Sequence, residues 1–331
     1  MHDFIIEMLQ CPACHGTLAW EIQAQHGAQI ESAQVRCQNC AATYEVREGI
    51  GMFLVPDLQR VDLWEQAGTG IAQFLAQRPH IEEQLLASPL ETLNPADAMF
   101  RAMVLEERGE CEPAIAAFDY ARPHIYTPEY LAGWQSQVDF VVERLATRSG
   151  PIVDLATGRG YLLEALLDRL PNVVIGTDVS PRVLRRNRQR LEFLGCASRA
   201  SLLAFDARRT PFKDEAIRTL TSNLGLANIE LPGDLLDELR RITSGEFLSI
   251  SHFIAEDDAA NRAVAREIGV ETMLVESLTL ENFRATGWQC VLANEQQGHA
   301  EPTPAGRLIP ATLDRMPATS TVLKWGVVIG S

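Results

Sequence analysis

The chain has 331 residues, enough for two domains, with 46% hydrophobic and 22% charged residues. Its formal net charge is -15, and only two lysines, Lys213 and Lys324, stand among its 29 basic residues, so no general positive field steers it toward phosphate backbones. No apolar run approaches the roughly 18 residues that cross a bilayer, and the first residues lack the basic region and apolar core of a signal peptide; a cytoplasmic protein without membrane contact is the expectation.

The first 56 residues carry two CxxC knuckles, Cys11-Pro-Ala-Cys14 and Cys37-Gln-Asn-Cys40, with 22 residues between them. In a reducing compartment such pairs point to metal before disulfide. Four thiolates close a tetrahedral shell around zinc, and a segment this short needs the metal to fold. Cys11, Cys14, Cys37 and Cys40 are the candidate ligands of a structural zinc, with His15 surplus to the shell. The run from Ile5 to Pro56, with IIEMLQCPAC, CQNC and TYEVREGIGMFL, resembles the small zinc-ribbon proteins that bind and activate methyltransferases acting on tRNA and translation factors. It departs from them at Gly51, where that family usually has Pro. Six acids stand against two arginines in residues 1–56, so the ribbon is expected to serve structure or docking rather than to grip RNA.

Residues 57–148 carry helical periodicity and are expected to form a linker and cap. Asn94-Pro95-Ala96-Asp97 and Thr127-Pro128-Glu129 have the order of a capping side chain, a proline at the first helical position and an early acid, and Gly109 can stop the first of these helices. Tyr120, Arg122, His124, Tyr126 and Tyr130 cluster at its end, either as helix packing with polar tips in water or as a lid over a substrate.

From 149 to 331 the pattern alternates strand and helix, an α/β doubly wound sheet. PIVDLATGRGYLLEALLDRL places an acid, Asp154, at the end of an apolar run, four residues before Gly158. The third glycine of a dinucleotide loop is replaced by Leu163, and a carboxylate there would repel a pyrophosphate. It suits a ligand with an ammonium and a sulfonium, as in S-adenosylmethionine. NVVIGTDVS ends a second strand in Asp178, beside Val179, placed to accept two ribose hydroxyls. SLLAFDARRTPF ends a third in Asp206, placed for an adenine amino group, with Phe205 and Ala207 as walls of the ring. Gly158 and Gly160 let the backbone approach the methionine end, and the helix opening at Tyr161 offers N–H groups to its carboxylate.

Three acids after three consecutive strands, with the glycine turn on the first, resemble the Rossmann-like S-adenosylmethionine-dependent methyltransferases, with Ala156 where many members have Gly. That resemblance implies a seven-stranded sheet. IRTLTSNLGLANIE is then the fourth strand and its loop. DLLDELRRITSGEFLSISHF is a helix, a glycine turn and the fifth strand, and LTLENFRATGWQCVLANE with STVLKWGVVIG makes the closing edge hairpin. Residues 295–319 between the last two are a long loop suited to line a substrate pocket.

Methyl transfer asks mainly for in-line positioning and exclusion of water. Asn223, after the fourth strand, would orient the acceptor, touch the cofactor or merely cap the loop, and His252, at the end of the fifth, is either the base or a hydrogen-bonded structural histidine. The helix 180–194 carries Arg182, Arg185, Arg186, Arg188 and Arg190, either as a solvated face or as a patch on which a protein partner or second copy would dock, a role the ribbon could equally serve. A small-molecule methyltransferase is the reading favoured by charge. An RNA base methyltransferase is the alternative, since bacterial ribosomal-RNA guanine methyltransferases share the order of zinc module, linker and catalytic domain. A non-catalytic cofactor-binding scaffold is the third.

Overall fold

The computed structural model describes residues 1–58 and 63–331; the start of the expected cap, 59–62, lies outside the described residues. The ribbon begins with a 3-10 turn, Asp3–Met8, and continues as β1 (Leu18–His26), β2 (Gln29–Cys37), β3 (Thr43–Arg47) and β4 (Ile50–Met52), each antiparallel to the next. Between β3 and β4 both loop residues take positive φ, Glu48 at 51° and Gly49 at 68°, the conformation of the tight turn whose twist matches paired strands.

The ribbon is not a separate module. Strand β4 runs parallel to β7 (Ala200–Ala204), with Ile50 opposite Leu202 and Met52 opposite Ala204, and Phe53 N–H donates to Ala204 C=O at 2.8 Å. The expected seven-stranded sheet is therefore corrected to one of eleven strands, in the order β1-β2-β3-β4-β7-β6-β5-β8-β9-β11-β10. A single core runs through the junction: Ile5, Leu9, Val35 and Phe53 of the ribbon are buried in one cluster with Val153, Phe205, Phe212 and Leu220. A short edge strand with unpaired backbone groups is costly to leave open, and β4 covers it.

The remaining strands are β5 (Ile152–Leu155), β6 (Val174–Asp178), β8 (Ile217–Asn223), β9 (Thr243–Phe253), β10 (Cys290–Ala300) and β11 (Thr321–Gly330), parallel except for the antiparallel β11 and β10. Two expectations change here. The glycine turn before the fifth strand does not exist. Helix α8 (Pro232–Ile242) passes directly into β9, and Gly245 lies within that strand, where an added Cβ would sit 2.1 Å from Arg218 O. Residues 278–285, expected as the start of a strand, belong to the helix Glu276–Ala285, because Thr279 and Phe283 recur at helical spacing and are both buried.

The helices ahead of the sheet are α1 (Leu63–Ala76), α2 (Pro79–Ala87), α3 (Pro95–Glu107), α4 (Cys111–Ile125) and α5 (Pro128–Leu145). Both expected caps form: Asn94 accepts from Asp97 N–H at 2.8 Å and Thr127 from Tyr130 N–H at 3.1 Å. Helix α5 belongs to the layer covering the sheet. Its Gly133 lets it approach β11 so closely that an added Cβ would lie 2.6 Å from the Trp325 ring. Helices α3 and α4 form the cap, which also holds the long loop after β10. Asp97, 1% exposed, accepts from the N–H groups of Arg307, Leu308 and Ile309 at 2.9–3.2 Å.

Candidate functional site

The glycine loop joins β5 to α6 (Tyr161–Arg169), and three of its residues take positive φ: Ala156 at 51°, Gly158 at 55° and Gly160 at 87°. Ala156 therefore occupies a left-handed position where glycine costs nothing, and its Cβ has room because residue 225 is glycine; an added Cβ there would lie 2.7 Å from that of Ala156. Asp154, 1% exposed, does not project into open space. Thr221 donates to Oδ1 at 2.9 Å and Thr157 to Oδ2 at 3.0 Å. Burial raises its pKa to about 7, against the pull of those hydroxyls. Its immediate effect is to anchor the loop through Thr157.

Asp178 accepts from Gly158 N–H at 3.0 Å through one oxygen and from Ser180 N–H at 2.9 Å through the other. These bonds orient its carboxylate beside the loop, with Val179 half-buried next to it. Asp206 at the end of β7 is held by Arg208, whose Nε and Nη2 donate to its two oxygens at 3.0 and 2.8 Å, so an adenine amino group would share that carboxylate with a guanidinium. Phe205, expected as a wall of the ring, is 2% exposed and packs edge-to-face on Phe212 in the core shared with the ribbon; Ala207 is buried as well. The first turn of α6 has no side-chain cap, as an anion-accepting helix terminus requires.

Sequence reasoning missed what holds this loop from outside. Asn187 of α7 (Pro181–Phe193) donates to Gly158 C=O at 2.9 Å. Arg159 pairs with Glu106 of the cap and lies over the Phe118 ring, 4.5 Å from its centroid. Four of the five arginines of α7 are not a solvated face: Arg182 and Arg186 pair with Glu107 of α3 at 2.7 and 2.9 Å, Arg188 with Glu31 of β2 at 3.1 Å, and Arg190 with Glu164 of α6, while Arg185 is exposed. Only their regular spacing was visible in the sequence; their partners lie on three other parts of the chain.

At the C-terminal ends of β8 and β9 the cap and α5 bring aromatic rings together. Tyr126 stacks on Tyr130 (4.9 Å), Tyr130 meets Trp325 edge-on (5.0 Å), and Trp134 meets Tyr161 edge-on (5.6 Å). Of the aromatic cluster seen in the sequence, Tyr126 and Tyr130 enter this region, while Tyr120 packs at a tilt against the exposed His124. Asn223 accepts from Trp134 Nε1 at 3.1 Å, which ties it to α5. His252 packs against Trp325 and its Nδ1 has no partner among the described residues. Desolvation lowers its pKa to about 4, so the ring is neutral at physiological pH.

In the ribbon, the sulfurs of Cys11, Cys14, Cys37 and Cys40 lie within 4.8 Å of one another, with Cys11 to Cys40 at 3.7 Å and Cys14 to Cys37 at 3.5 Å. His15 is outside the group. Burial works against the Cys37 thiolate, yet the N–H groups of Cys40 and Asn39 bring its pKa down to about 6. This donor set fits a four-thiolate zinc site.

Residues 152–245 match a family described as a methyltransferase domain. The chain is similar to a phosphatidylethanolamine N-methyltransferase of Cereibacter sphaeroides, 27% identical over 124 residues, covering 36% of this chain and 60% of that protein. It is also similar to the ubiquinone/menaquinone biosynthesis C-methyltransferase UbiE of Paracoccus denitrificans, 32% identical over 104 residues, covering 31% of this chain and 42% of that protein. This chain thus spans less than two thirds of the length of either relative. Among solved structures it is similar to the YcgJ protein of Bacillus subtilis at 14% identity and a TM-score of 0.48, covering 59% of this chain and 97% of that one. The glycine loop and the acids at the ends of β5 and β6 lie within the matched segment, so residues 152–245 are similar to a methyltransferase domain.

Proposed function

We propose that this chain is an S-adenosylmethionine-dependent methyltransferase of a small-molecule acceptor. The observation that carries the reading is the set of three acids, Asp154, Asp178 and Asp206, at the C-terminal ends of three adjacent parallel strands around one glycine loop. Open α/β sheets bind ligands at that edge. S-adenosylmethionine would supply the methyl group as an already activated leaving group. Asp178 would take the ribose hydroxyls and the loop 156–160 with the start of α6 the methionine end. Asp206 and Ala207 would border the base, and Asp154 would act at one remove by fixing Thr157.

Two features support a small acceptor over RNA. The aromatic rings cluster between helix α5 and the ends of β9 and β11, and four arginines of α7 are spent on internal carboxylates. The names of both relatives state small-molecule chemistry. A zinc on Cys11, Cys14, Cys37 and Cys40 would staple the ribbon and, through β4, the edge of the sheet. Asn223 is an orienting group here. His252, neutral and unpartnered on Nδ1, could accept a proton from an acceptor that must lose one.

Calorimetry tests the reading. The zinc-loaded protein is expected to bind S-adenosylhomocysteine at a one-to-one ratio, and Asp178→Ala is expected to weaken that binding at least tenfold while leaving the melting temperature within a few degrees. No heat of binding to the wild type would overturn the proposal.

A further inference from the structure

Asp314 lies on the loop between β10 and β11, and its position is built rather than incidental. Its backbone N–H donates to the buried Thr303 Oγ1 at 3.1 Å, and Thr303 Oγ1 lies 3.3 Å from its C=O. The loop is pinned at one side by Asp97 and at the other by Asn261, whose side chain meets Ala318 and Thr319. The Asp314 carboxylate accepts from Tyr126 O–H at 2.8 Å. It sits in a recess: solvent reaches its surface, yet the surrounding protein desolvates the carboxyl enough to raise its pKa above the ordinary 3.8.

The carboxylate has no counter-ion. Among the described residues no cation comes within ion-pair distance of Asp314. Of the neighbouring arginines, Arg159 pairs with Glu106, and Arg122 lies over the Trp134 ring at 4.9 Å. The other groups are aromatic, with Tyr126 stacked on Tyr130 and neutral His252 packed against Tyr130, and the charge beside these rings, the Arg122 guanidinium, is engaged on the Trp134 ring. A desolvated carboxylate without a cation is an unfinished pair. Aromatic rings beside a carboxylate make surroundings that an organic cation prefers over water.

The recess is also separate from the cofactor's expected place. Asp178 and Asp206 end β6 and β7 on one side of the glycine loop, whereas Tyr130, His252 and Trp325 stand at β9 and β11 on the other. Tyr161, the residue that follows the loop, connects the two regions through its contact with Trp134.

We propose that the recess bounded by Tyr126, Tyr130, Trp134, His252 and Asp314 is the acceptor subsite and selects an organic cation, an amine whose ammonium nitrogen rests against Asp314 and the tyrosine faces. This rests on the methyltransferase reading, and the test separates the two. Protein saturated with S-adenosylhomocysteine is titrated by calorimetry with benzyltrimethylammonium and with neopentylbenzene, a neutral molecule of the same shape. The cation is expected to bind at least tenfold more tightly than its neutral counterpart, and Asp314→Asn is expected to bring the two within threefold. Equal binding of the two probes by the wild type, or an unchanged preference in Asp314→Asn that still takes up S-adenosylhomocysteine, overturns the subsite alone. Because the comparison of probes is made on the wild type, it stands even if the variant fails to fold. If the wild type does not bind S-adenosylhomocysteine, the methyltransferase reading falls and the subsite falls with it.

Discussion

Asp154→Asn should make the protein more stable at neutral and alkaline pH. The wild-type carboxyl is 1% exposed and titrates near 7 instead of the ordinary 3.8, with burial as the leading cause. At about 1.4 kcal/mol for each decade of difference, the ionised group costs the folded state up to about 4 kcal/mol. The sign follows from proton counting. Between pH 4 and 7 the unfolded chain has released this proton and the folded chain still holds it, so stability falls as pH rises through that window and is level above it. The amide keeps its bond from Thr221, while Thr157 must turn to accept rather than donate, a change worth about 1 kcal/mol. A net gain of roughly 2–3 kcal/mol for the variant at pH 8 is expected, shrinking toward pH 5. Urea unfolding at several pH values, followed by tryptophan fluorescence, reads both slopes. Curves for wild type and variant that run parallel from pH 4.5 to 8 would refute the assignment. The same carboxyl ties stability to function, since a sulfonium or ammonium nearby favours its ionised form. Cofactor uptake by the wild type near pH 6.5 should release a proton that Asp154→Asn does not, measurable in buffers of different ionisation enthalpy.

Two further outcomes are expected. The protein should contain one zinc per chain by atomic emission, and stripping it should lower the melting temperature by roughly 10 °C or more in a single transition, since metal binding and folding are one free energy in such sites; a second transition at the original temperature would show the two halves to be independent. Gly225→Ala should destabilise by about 1–3 kcal/mol through its clash with the Ala156 methyl group, and Ala156→Gly should return a large part of that loss, a coupling visible in a double-mutant cycle. Equal losses in both backgrounds would show that the contact is not the cause.

Legibility followed locality. The knuckles, the helix caps at Asn94 and Thr127, and the acids ending β5, β6 and β7 are each written within a few neighbouring residues, and each was visible. Strand β4 was not, because Ile50–Met52 is too short to show a period and its partner Leu202 lies about 150 residues away. That one pairing turns a ribbon and a seven-stranded sheet into a single sheet with a shared core. The helix at 276–285 was hidden by residues such as Thr279 and Phe283 that favour strand when tertiary packing does not decide; here Phe283 is fully buried and decides it. Asp314 itself carried no signal beyond its place in the loop 295–319. It lies in a polar loop, and its meaning comes from Tyr126, a residue 188 positions earlier.

The arginines of α7 explain how an acidic chain keeps its cofactor loop in place. These pairs are partly buried, with side chains 12–28% exposed, so losing one partner leaves a charge that water compensates only in part, and such pairs resist rearrangement even where they add little net stability. Helix α7 is held in this way to β2 through Glu31, to the cap through Glu107 and to α6 through Glu164. From that fixed position Asn187 grips Gly158 C=O, while Asp178 at the end of β6 takes the N–H of the same glycine. Both polar groups of Gly158 are thereby committed before any ligand arrives. A loop with its backbone fixed this way has little freedom left to lose on binding, which is the physical content of preorganisation. Four of the five arginines on this helix are spent on holding the site rather than on attracting what enters it. The acceptor must then be recognised inside the recess by contact, over distances of a few ångström, and this is how a -15 chain can favour a cation.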